Sequence, residues 1–365
     1  MASPRQDKLA ARRGPLAVGG AILIASALAL AVLAGGLSAS GSVAHDHKVS
    51  KRLFSASGVW NHTLANNAPI DPHSPQLVNR LVSEVNREKN AGTGPWIQTD
   101  SYSTPLYVVG PNQPRVHVAL FQGNQAGRRS LQHCFNRVPI PPRAKPAAGS
   151  DAHMVVWQPS TDTLWEFFAA HKQNGHWHAI WGGAMKNVSK KPGYYTRQTW
   201  PGRSLLNWGA TASSLSVIGG VMLIKELKGS RIPHALAMIV PSPRARQYSW
   251  PAQRTDGGGP ANALPEGARL RLPANLDLSK MHLPRIVLMM ARAAKEHGII
   301  VRDQSAGVGF FAQDPGPGGG DPYYGAGGLF GGQYPNKLLA KFPWGKLKVL
   351  KMSLCTDQSH LCRPH

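Results

Sequence analysis

Residues 151–185 are the densest run of strand-forming residues in the chain. Apolar and polar positions alternate there in short runs separated by turn-forming residues, which predicts three consecutive β-strands joined by two turns. Successive side chains of a strand point to opposite faces. Glu166 therefore shares its face with the apolar Leu164 and Phe168. We interpret the whole stretch as the central sheet of the fold.

Two other segments have helical periodicity. Residues 76–90 place leucines and valines on one face with charged residues opposite. Residues 283–297 place Pro284 in the first turn and are followed by Gly298, the usual start and stop signals. These patterns predict an N-terminal helical arm and one α-helix packed on the sheet.

Short strands separated by Gly, Pro, Asn and Asp make up most of the remaining pattern. They are predicted at residues 96–99, 106–109, 116–121, 232–240, 269–272, 299–302, 308–312 and 347–354. Strands outnumber helices, without βαβ alternation or an internal repeat, which favours a mainly β fold with a sandwich or jelly-roll-like domain. The predicted organisation is a leader (1–44), an N-terminal arm with a short helix (45–95), the β-rich domain (96–355) and a C-terminal tail (356–365).

Composition supports this reading and adds a strong charge. The 365 residues include 39 Gly and 30 Pro, as expected for many turns, and the formal net charge is +23. A surface this basic attracts polyanions such as acidic polysaccharide, wall polymers, anionic lipid or nucleic acid. The basic residues are scattered, without a recognition helix, so we expect a polysaccharide or other polyanion as partner and no specific nucleic acid.

The N-terminus predicts export. A basic segment precedes residues 16–37, which carry no charge, and Ser42-Val43-Ala44 fits a signal-peptidase site. The uncharged stretch is long enough to span a bilayer, so it is either a cleaved signal peptide or an uncleaved membrane anchor. In both cases the rest of the chain is expected to be secreted, or anchored on the outer side of the cytoplasmic membrane.

Three cysteines leave two disulfide arrangements open. Cys355 and Cys362 could close a small loop and leave Cys134 unpaired. Alternatively, Cys134 could bridge to one of them and tie the tail to the domain.

Glu166 is the most unusual residue of the central stretch. A carboxylate between two large apolar neighbours either pairs with a cation or has a raised pKa, as a general acid has. The structural alternative is a buried Glu–Arg pair that joins two strands. Arg254, Arg269 and Arg302 are the candidate partners.

Tryptophans cluster in the same part of the sequence. Aromatic rings beside carboxylates, amides and arginines are typical of sugar-binding clefts, because the ring stacks on the apolar face of a pyranose. A tryptophan-rich core is the alternative for at least half of them. The predicted substrate-binding residues are Trp165, Trp181, Trp208 and Trp250.

A glycoside hydrolase needs two carboxyl groups across the cleft, near 5 Å apart for a retaining enzyme or further apart for an inverting one. The candidate carboxylates are Glu166, Glu226, Asp256, Glu266 and Asp303. Asp303 is the preferred partner of Glu166, because it follows an apolar strand, whereas Glu266 is expected to be structural. A polysaccharide lyase would instead use a base such as His234 and an arginine such as Arg254 to neutralise a uronate.

Other chemistries lack their motifs. His176 and His178 could ligate a metal, but spacing marks no third ligand, so we predict neither a metal nor a cofactor. His153 is expected to be an ordinary hydrogen-bonding histidine. GxSxG, HExxH, P-loop and dinucleotide fingerprints are absent from the sequence.

Several short motifs occur in an order that resembles a group of exported, mostly uncharacterised bacterial proteins. They include Asp151-Ala152-His153-Met154, Leu164-Trp165-Glu166, Trp208-Gly209-Ala210-Thr211-Ala212, Gly219-Gly220, Ile232-Pro233-His234-Ala235-Leu236, Trp250-Pro251-Ala252, Pro265-Glu266-Gly267, Arg269-Leu270-Arg271-Leu272 and residues 298–303. The resemblance covers about residues 95–350 and implies a secreted protein with a single β-rich domain. It implies no catalytic residues.

The sequence thus predicts an exported protein that acts on an acidic or wall-associated glycan. As an enzyme it would be a glycoside hydrolase or polysaccharide lyase that uses Glu166 and Asp303, with His234 and Arg254 nearby. The alternative is a non-catalytic glycan- or polyanion-binding envelope protein.

Overall fold

The computed structural model describes residues 52–121, 123, 128–196, 209–316, 319–356 and 360–364. The predicted leader and Trp208 lie outside this part of the chain. Five α-helices occur among the described residues: α1 (Ser74–Ala91), α2 (Arg129–Phe135), α3 (Ile224–Lys228), α4 (Arg285–Glu296) and α5 (Pro335–Leu339). The strands are β1 (Trp96–Gln98), β2 (Thr104–Val108), β3 (Val118–Leu120), β4 (Met154–Gln158), β5 (Thr163–Phe168), β6 (His171–Gln173), β7 (His176–Ala179), β8 (Trp181–Lys186), β9 (Leu236–Val240), β10 (Tyr248–Ser249), β11 (Arg269–Arg271), β12 (Ile299–Gln304), β13 (Gly309–Phe311), β14 (Gln313–Asp314), β15 (Lys348–Val349) and β16 (Leu354–Cys355).

The prediction of a mainly β fold with few helices is confirmed. The strands form a six-stranded sheet in the order β1-β13-β9-β12-β11-β15 and a five-stranded sheet in the order β14-β2-β4-β5-β8. A three-stranded sheet, β3-β7-β6, and a two-stranded ribbon, β10-β16, complete the set. Both larger sheets are mixed, since β9 pairs with β12 and β2 pairs with β4 in parallel. Strand alternation in the sequence does not reveal strand direction, so the parallel pairs were not predicted.

Both predicted helices are present. In α4, the residues expected on the packed face, Ile286, Met289, Met290 and Ala293, are buried. Helix α1 has 18 residues and buries its leucines and valines in the same core as α4. It is therefore an integral part of the domain core. None of the described helices is both long and apolar enough to cross a membrane.

The six-stranded sheet is buried on both faces. Along β9, Leu236 and Met238 pack in the core that contains α1 and α4. Ala237 and Ile239 pack in a second core together with residues of the five-stranded sheet. A strand covered on both sides has an uninterrupted apolar sequence, as Leu236–Val240 does. One face of the six-stranded sheet therefore packs against helices, and the other packs against residues of the five-stranded sheet.

Residues 151–185 form five strands where three were predicted. Strands β4, β5 and β8 lie side by side in the five-stranded sheet, as the pattern indicated. The hairpin β6–β7 instead belongs to the three-stranded sheet, because β7 pairs in parallel with β3. Ile180 lies between β7 and β8 and is 48% exposed. The chain changes sheets at this residue.

A disulfide joins Cys355 to Cys362, which selects one of the two arrangements left open by the sequence. Cys134 is a free, partly buried cysteine, and burial raises the pKa of its thiol. The disulfide loop is held against the domain by Gln253. The amide nitrogen Nε2 of Gln253 donates to the carbonyl of Cys362 at 3.0 Å, and its Oε1 accepts from the backbone N–H of Cys362 at 3.0 Å.

Candidate carboxylate site

A cavity of about 780 Å³, here called the carboxylate cavity, lies beside the five-stranded sheet at the end of β12. Its volume is within the range of small-molecule sites. Its polar lining combines acidic, basic and imidazole groups with aromatic side chains. The lining residues include Phe121, Arg128, Asp151, His153, Phe168, Ile180, Trp181, Thr211, Ser242, Arg254, Asp256, Asp303 and Gln304.

A β-bulge positions Asp303. The pairing of β12 with β9 shifts between Val301 and Asp303, so that Arg302 is an extra residue in the strand. Bulges change the direction of the side chains that follow them and are frequent beside functional sites. Here Val301 packs in the helix-side core, whereas Asp303, two residues later, lines the carboxylate cavity. Regular alternation would have put both side chains on one face.

Glu266 is brought to the same place by a tight turn. The backbone N–H of Gly267 donates to the carbonyl of Val301 at 2.8 Å, and the carbonyl of Glu266 accepts from the N–H of Ser249 at 2.8 Å. Gly267 has φ +82°, and a Cβ there would collide with the carbonyl oxygen of Ser249. Glycine is therefore required, because the turn passes so close to β10.

Residues 253–256 carry the other charged groups of the site. Gln253 anchors this segment, since its N–H donates to the carbonyl of Ser213 at 2.9 Å. The guanidinium of Arg254 donates to the carbonyl of Thr211. Asp256 follows on the exposed side of the segment, where it lines the cavity.

Three carboxylates converge at this point. One oxygen each of Asp256, Glu266 and Asp303 can be chosen so that all three lie within 4.8 Å of one another. Glu266 is fully buried, interacts with the side chain of Thr255 and does not itself line the carboxylate cavity. An all-oxygen set of this kind could hold a hard divalent cation. Arg254 is charged and close enough to interact with all three carboxylates, so it supplies part of the neutralisation without a metal.

Burial raises the pKa of each of the three carboxyl groups. Burial raises the pKa of Asp303 to about 6, although Arg302 opposes the shift. Burial, together with the charge of Asp303, raises the pKa of Glu266 well above its usual range. Burial also raises the pKa of Asp256, against the effect of Arg254. At mildly acidic pH the cluster therefore carries protons that it can donate.

Aromatic and apolar side chains form the other wall. The guanidinium of Arg128 lies 4.9 Å from the ring centroid of Trp181, a cation–π contact. Phe121 is 61% exposed beside Ile180 at the cavity. His153 is buried, and burial lowers its pKa to about 4, so its imidazole is neutral at physiological pH.

The structure brings together two of the four predicted catalytic residues, Asp303 and Arg254. Glu166 is fully buried in β5 and does not line the cavity. Its Oε1 accepts from the hydroxyl of Ser216 and from the N–H of Ile218 at 3.3 Å. Burial raises the pKa of Glu166, as its apolar neighbours suggested.

Glu166 is part of a connection between the two large sheets. Arg302, from the other sheet, donates to the carbonyl of Val217, in the same segment that Glu166 binds. Its guanidinium also stacks on Phe311, 3.6 Å from the ring centroid. Among the described residues, no arginine forms a direct ion pair with Glu166. The buried Glu–Arg pair considered from the sequence is therefore not formed, and Glu166 and Arg302 instead both bind residues 216–218.

His234 lies in a second cavity of about 730 Å³, here called the apolar cavity. Its Nε2 is 3.1 Å from Oε2 of Glu226, which lines the same cavity. Burial lowers the pKa of His234, but the adjacent carboxylate more than compensates, so the net shift is upward. His234 is thus separated from Asp303 and Arg254.

The predicted tryptophans also divide. Trp181 lines the carboxylate cavity. Trp165 is buried and donates to the carbonyl of Cys134 at 3.0 Å, which makes it a core residue. Trp250 is partly buried, lines a separate cavity of about 430 Å³ and donates to the hydroxyl of Tyr194 at 3.3 Å.

Several lining residues were not selected from the sequence as site residues. Asp151 and His153 precede β4, Phe121 directly follows β3, and Arg128 directly precedes α2. No local sequence pattern therefore joins all four residues. Asp256 was only one of five candidate carboxylates. The available signal was the Arg254-Thr255-Asp256 run in a Gly-rich loop, where charged residues serve no helix or strand.

Comparisons with known proteins add no assignment. No family model, no curated protein and no solved structure matches the chain.

Proposed function

We propose that this protein is a glycoside hydrolase that acts on an acidic or wall-associated glycan through the carboxylate cavity. The observation that carries the proposal is the close pairing of Asp303, whose pKa is raised to about 6, with Asp256 in an aromatic-walled cavity. A protonated and an ionised carboxyl group in contact with one ligand are what glycoside hydrolysis requires.

Asp303 is the general acid in this mechanism. Its carboxyl group gives a proton to the glycosidic oxygen as the bond to the anomeric carbon breaks. Asp256, which is exposed to the cavity, attacks the anomeric carbon and forms a glycosyl ester. Water then cleaves the ester and gives a proton to Asp303. The separation of at most 4.8 Å between carboxylate oxygens favours this retaining route over an inverting one.

Arg254, Arg128 and the aromatic wall fit an acidic sugar. An arginine pairs with carboxylate groups in a planar, two-bond geometry. The exposed ring of Phe121 offers a stacking surface. The net charge of +23 would attract a polyanionic chain to the surface before it enters the cavity.

We also propose that the protein is exported. The disulfide supports this, because such bonds persist in oxidising compartments. Residues 16–37 would anchor the chain in the membrane if they are not cleaved. For the fold, we propose a sandwich-like arrangement of the two large sheets, since residues of both share one core.

The test is to incubate the purified protein with uronic-acid polysaccharides and cell-wall glycan. Hydrolysis is measured as the release of reducing ends. Asp303→Asn should reduce turnover by about 10²- to 10⁴-fold, the usual contribution of a general acid, while glycan binding is retained. Asp314→Asn is the matched control. Burial raises the pKa of Asp314 to about 6 as well, but this residue does not line the carboxylate cavity.

Equal turnover by the Asp303→Asn variant and the parent protein would contradict the proposed mechanism. Failure of the unmutated protein to cleave any glycan that it binds would favour a second candidate, a non-catalytic glycan- or polyanion-binding protein. The high positive charge specifically favours this alternative. Binding by charge alone predicts that affinity falls steeply between low and physiological salt, whichever polyanion is used.

A further inference from the structure

The apolar cavity differs from an ordinary surface depression in its walls. Buried side chains from three parts of the chain line it: Phe54, Trp60, Trp157, Ile218 and Val221. Its volume of about 730 Å³ is in the range of sites that enclose a small molecule. A ligand with a long hydrocarbon segment would gain free energy from contact with these walls.

Basic residues surround this apolar surface. Arg52, Lys225 and Lys228 line the cavity and are exposed to solvent. Among the described residues, no acidic side chain lies within ion-pair distance of any of the three. Their positive charges are therefore available to an anionic group at the mouth of the cavity.

The acidic residue of the cavity opposes such an anion only weakly, because it is already paired. Oε2 of Glu226 accepts from the backbone N–H of Leu223 at 2.9 Å and lies 3.1 Å from Nε2 of His234. The pKa of His234 is raised, so the imidazole is more readily protonated than a free one and offsets part of the charge of the carboxylate. The remaining charge of the lining is positive.

We infer that the apolar cavity binds a long-chain fatty acid anion, with its hydrocarbon chain against Trp60 and Trp157 and its carboxylate near Lys225 and Lys228. A sugar or nucleotide would leave many hydroxyl groups unpaired against these walls. An amphipathic cation would be repelled by the three basic residues. This site is separate from the carboxylate cavity and goes beyond the proposed hydrolysis.

The first test is calorimetric titration of the full chain with octanoate, decanoate and dodecanoate, below their micelle concentrations. Each added methylene should lower Kd by about threefold to fourfold, the factor expected for a buried CH₂ group. Dodecanol should bind at least tenfold more weakly than dodecanoate, and dodecyltrimethylammonium should not bind. Equal affinity for the three head groups, or no dependence on chain length, would overturn the inference.

Charge-reversal variants locate the site. Lys225→Glu combined with Lys228→Glu should weaken dodecanoate binding at least tenfold and leave dodecanol binding unchanged. The matched control is Lys337→Glu with Lys341→Glu, two exposed lysines in and after the short surface helix α5. Unchanged dodecanoate binding in the Lys225/Lys228 variant would place the ligand elsewhere and refute the assignment.

A filling variant provides a test that does not depend on charge. Val108 is 58% exposed at the edge of the cavity, so Val108→Trp can narrow the mouth without burying a new group in the core. This variant should weaken the binding of both dodecanoate and dodecanol. Glycan hydrolysis should be unaffected in all of these variants, and fatty acid binding should persist in Asp303→Asn. The two proposals can therefore fail independently.

Discussion

The carboxylate cavity and the apolar cavity have similar volumes, about 780 and 730 Å³, and each is lined by a histidine and at least one acidic residue. In the apolar cavity, Glu226 and His234 satisfy each other at 3.1 Å. At the carboxylate cavity, Asp256 and Asp303 instead lie close to the buried Glu266, and the pKa values of all three carboxyl groups are raised.

This difference shows that residue types alone do not define a reactive site. An acid and a base that bind each other largely offset each other's charge, whereas crowded carboxyl groups retain protons that they can transfer. The candidate chemistry is therefore assigned to the carboxylate cavity and the candidate lipid binding to the apolar one. The predictions below test that division.

The largest expected effect is on the pH dependence of hydrolysis. Asp303 must be protonated to act as the acid, and its pKa is about 6. Turnover should therefore fall about tenfold per pH unit above pH 6, or roughly a thousandfold by pH 9. The measurement is kcat/KM on a cleaved glycan between pH 5 and 9. A rate that stays constant to pH 9 would assign the acid role to another group.

The second prediction concerns Glu166, which lies in neither cavity lining. Glu166→Ala should lower the free energy of unfolding by about 3 kcal/mol, because it leaves a void and unpairs the Ser216 hydroxyl and the Ile218 N–H. Glu166→Gln keeps an accepting oxygen and should cost less than about 1 kcal/mol. Denaturant unfolding measures both.

Turnover of the folded Glu166→Gln variant decides between the two roles of this residue. A structural role predicts less than a tenfold change, whereas a catalytic role predicts a loss comparable to that of Asp303→Asn. Asp303→Asn measured in the same assay is the internal reference.

The third prediction tests whether the disulfide loop stabilises the carboxylate cavity and not the apolar cavity. Gln253 binds the disulfide loop and is followed directly by Arg254 of the carboxylate cavity. Cys362→Ser should lower the free energy of unfolding by about 2 kcal/mol, in line with a small closed loop. Turnover should also fall several-fold while dodecanoate binding stays the same. Equal losses at both sites would indicate a general effect on the fold.

The smallest effect is expected in the apolar cavity. Glu226→Gln removes its carboxylate and should increase dodecanoate affinity about threefold at low salt. The gain should disappear at high salt, because screening weakens the attraction. Glu84→Gln is the control, because Glu84 is a partly exposed residue of α1 that lines neither cavity. Weaker binding in Glu226→Gln would mean that the carboxylate organises the site and does not merely oppose an anion.

The sequence predicted the elements of this fold better than their arrangement. Helix α4 was predicted within two residues, because its apolar positions recur at helical spacing and glycine follows it. The pairing of β9 with β12, far apart in sequence, depends on the sheet as a whole. The chain's change of sheet near Ile180 was likewise hidden, because alternation continues through it.

For the site, the sequence identified Asp303 and Arg254 but not the reason they meet. The bulge at Arg302 reverses the face that alternation assigns to Asp303. For Glu166 the sequence left a cation pair and a raised pKa as alternatives, and the structure shows the raised pKa. Its distance from the cavity could not be predicted, because a raised pKa reports burial and not access to a ligand.

The disulfide loop has a consequence for the order of folding. Cys355 and Cys362 are seven residues apart, so they can meet early, whereas Gln253 and Cys362 are separated by 109 residues. Contacts between distant segments form late, because the entropy of closing a long loop opposes them. We therefore expect the oxidised loop to form first and to dock afterwards as a preformed unit. In refolding experiments, the fluorescence of the tryptophans buried in the β-sheets should recover before glycan turnover does.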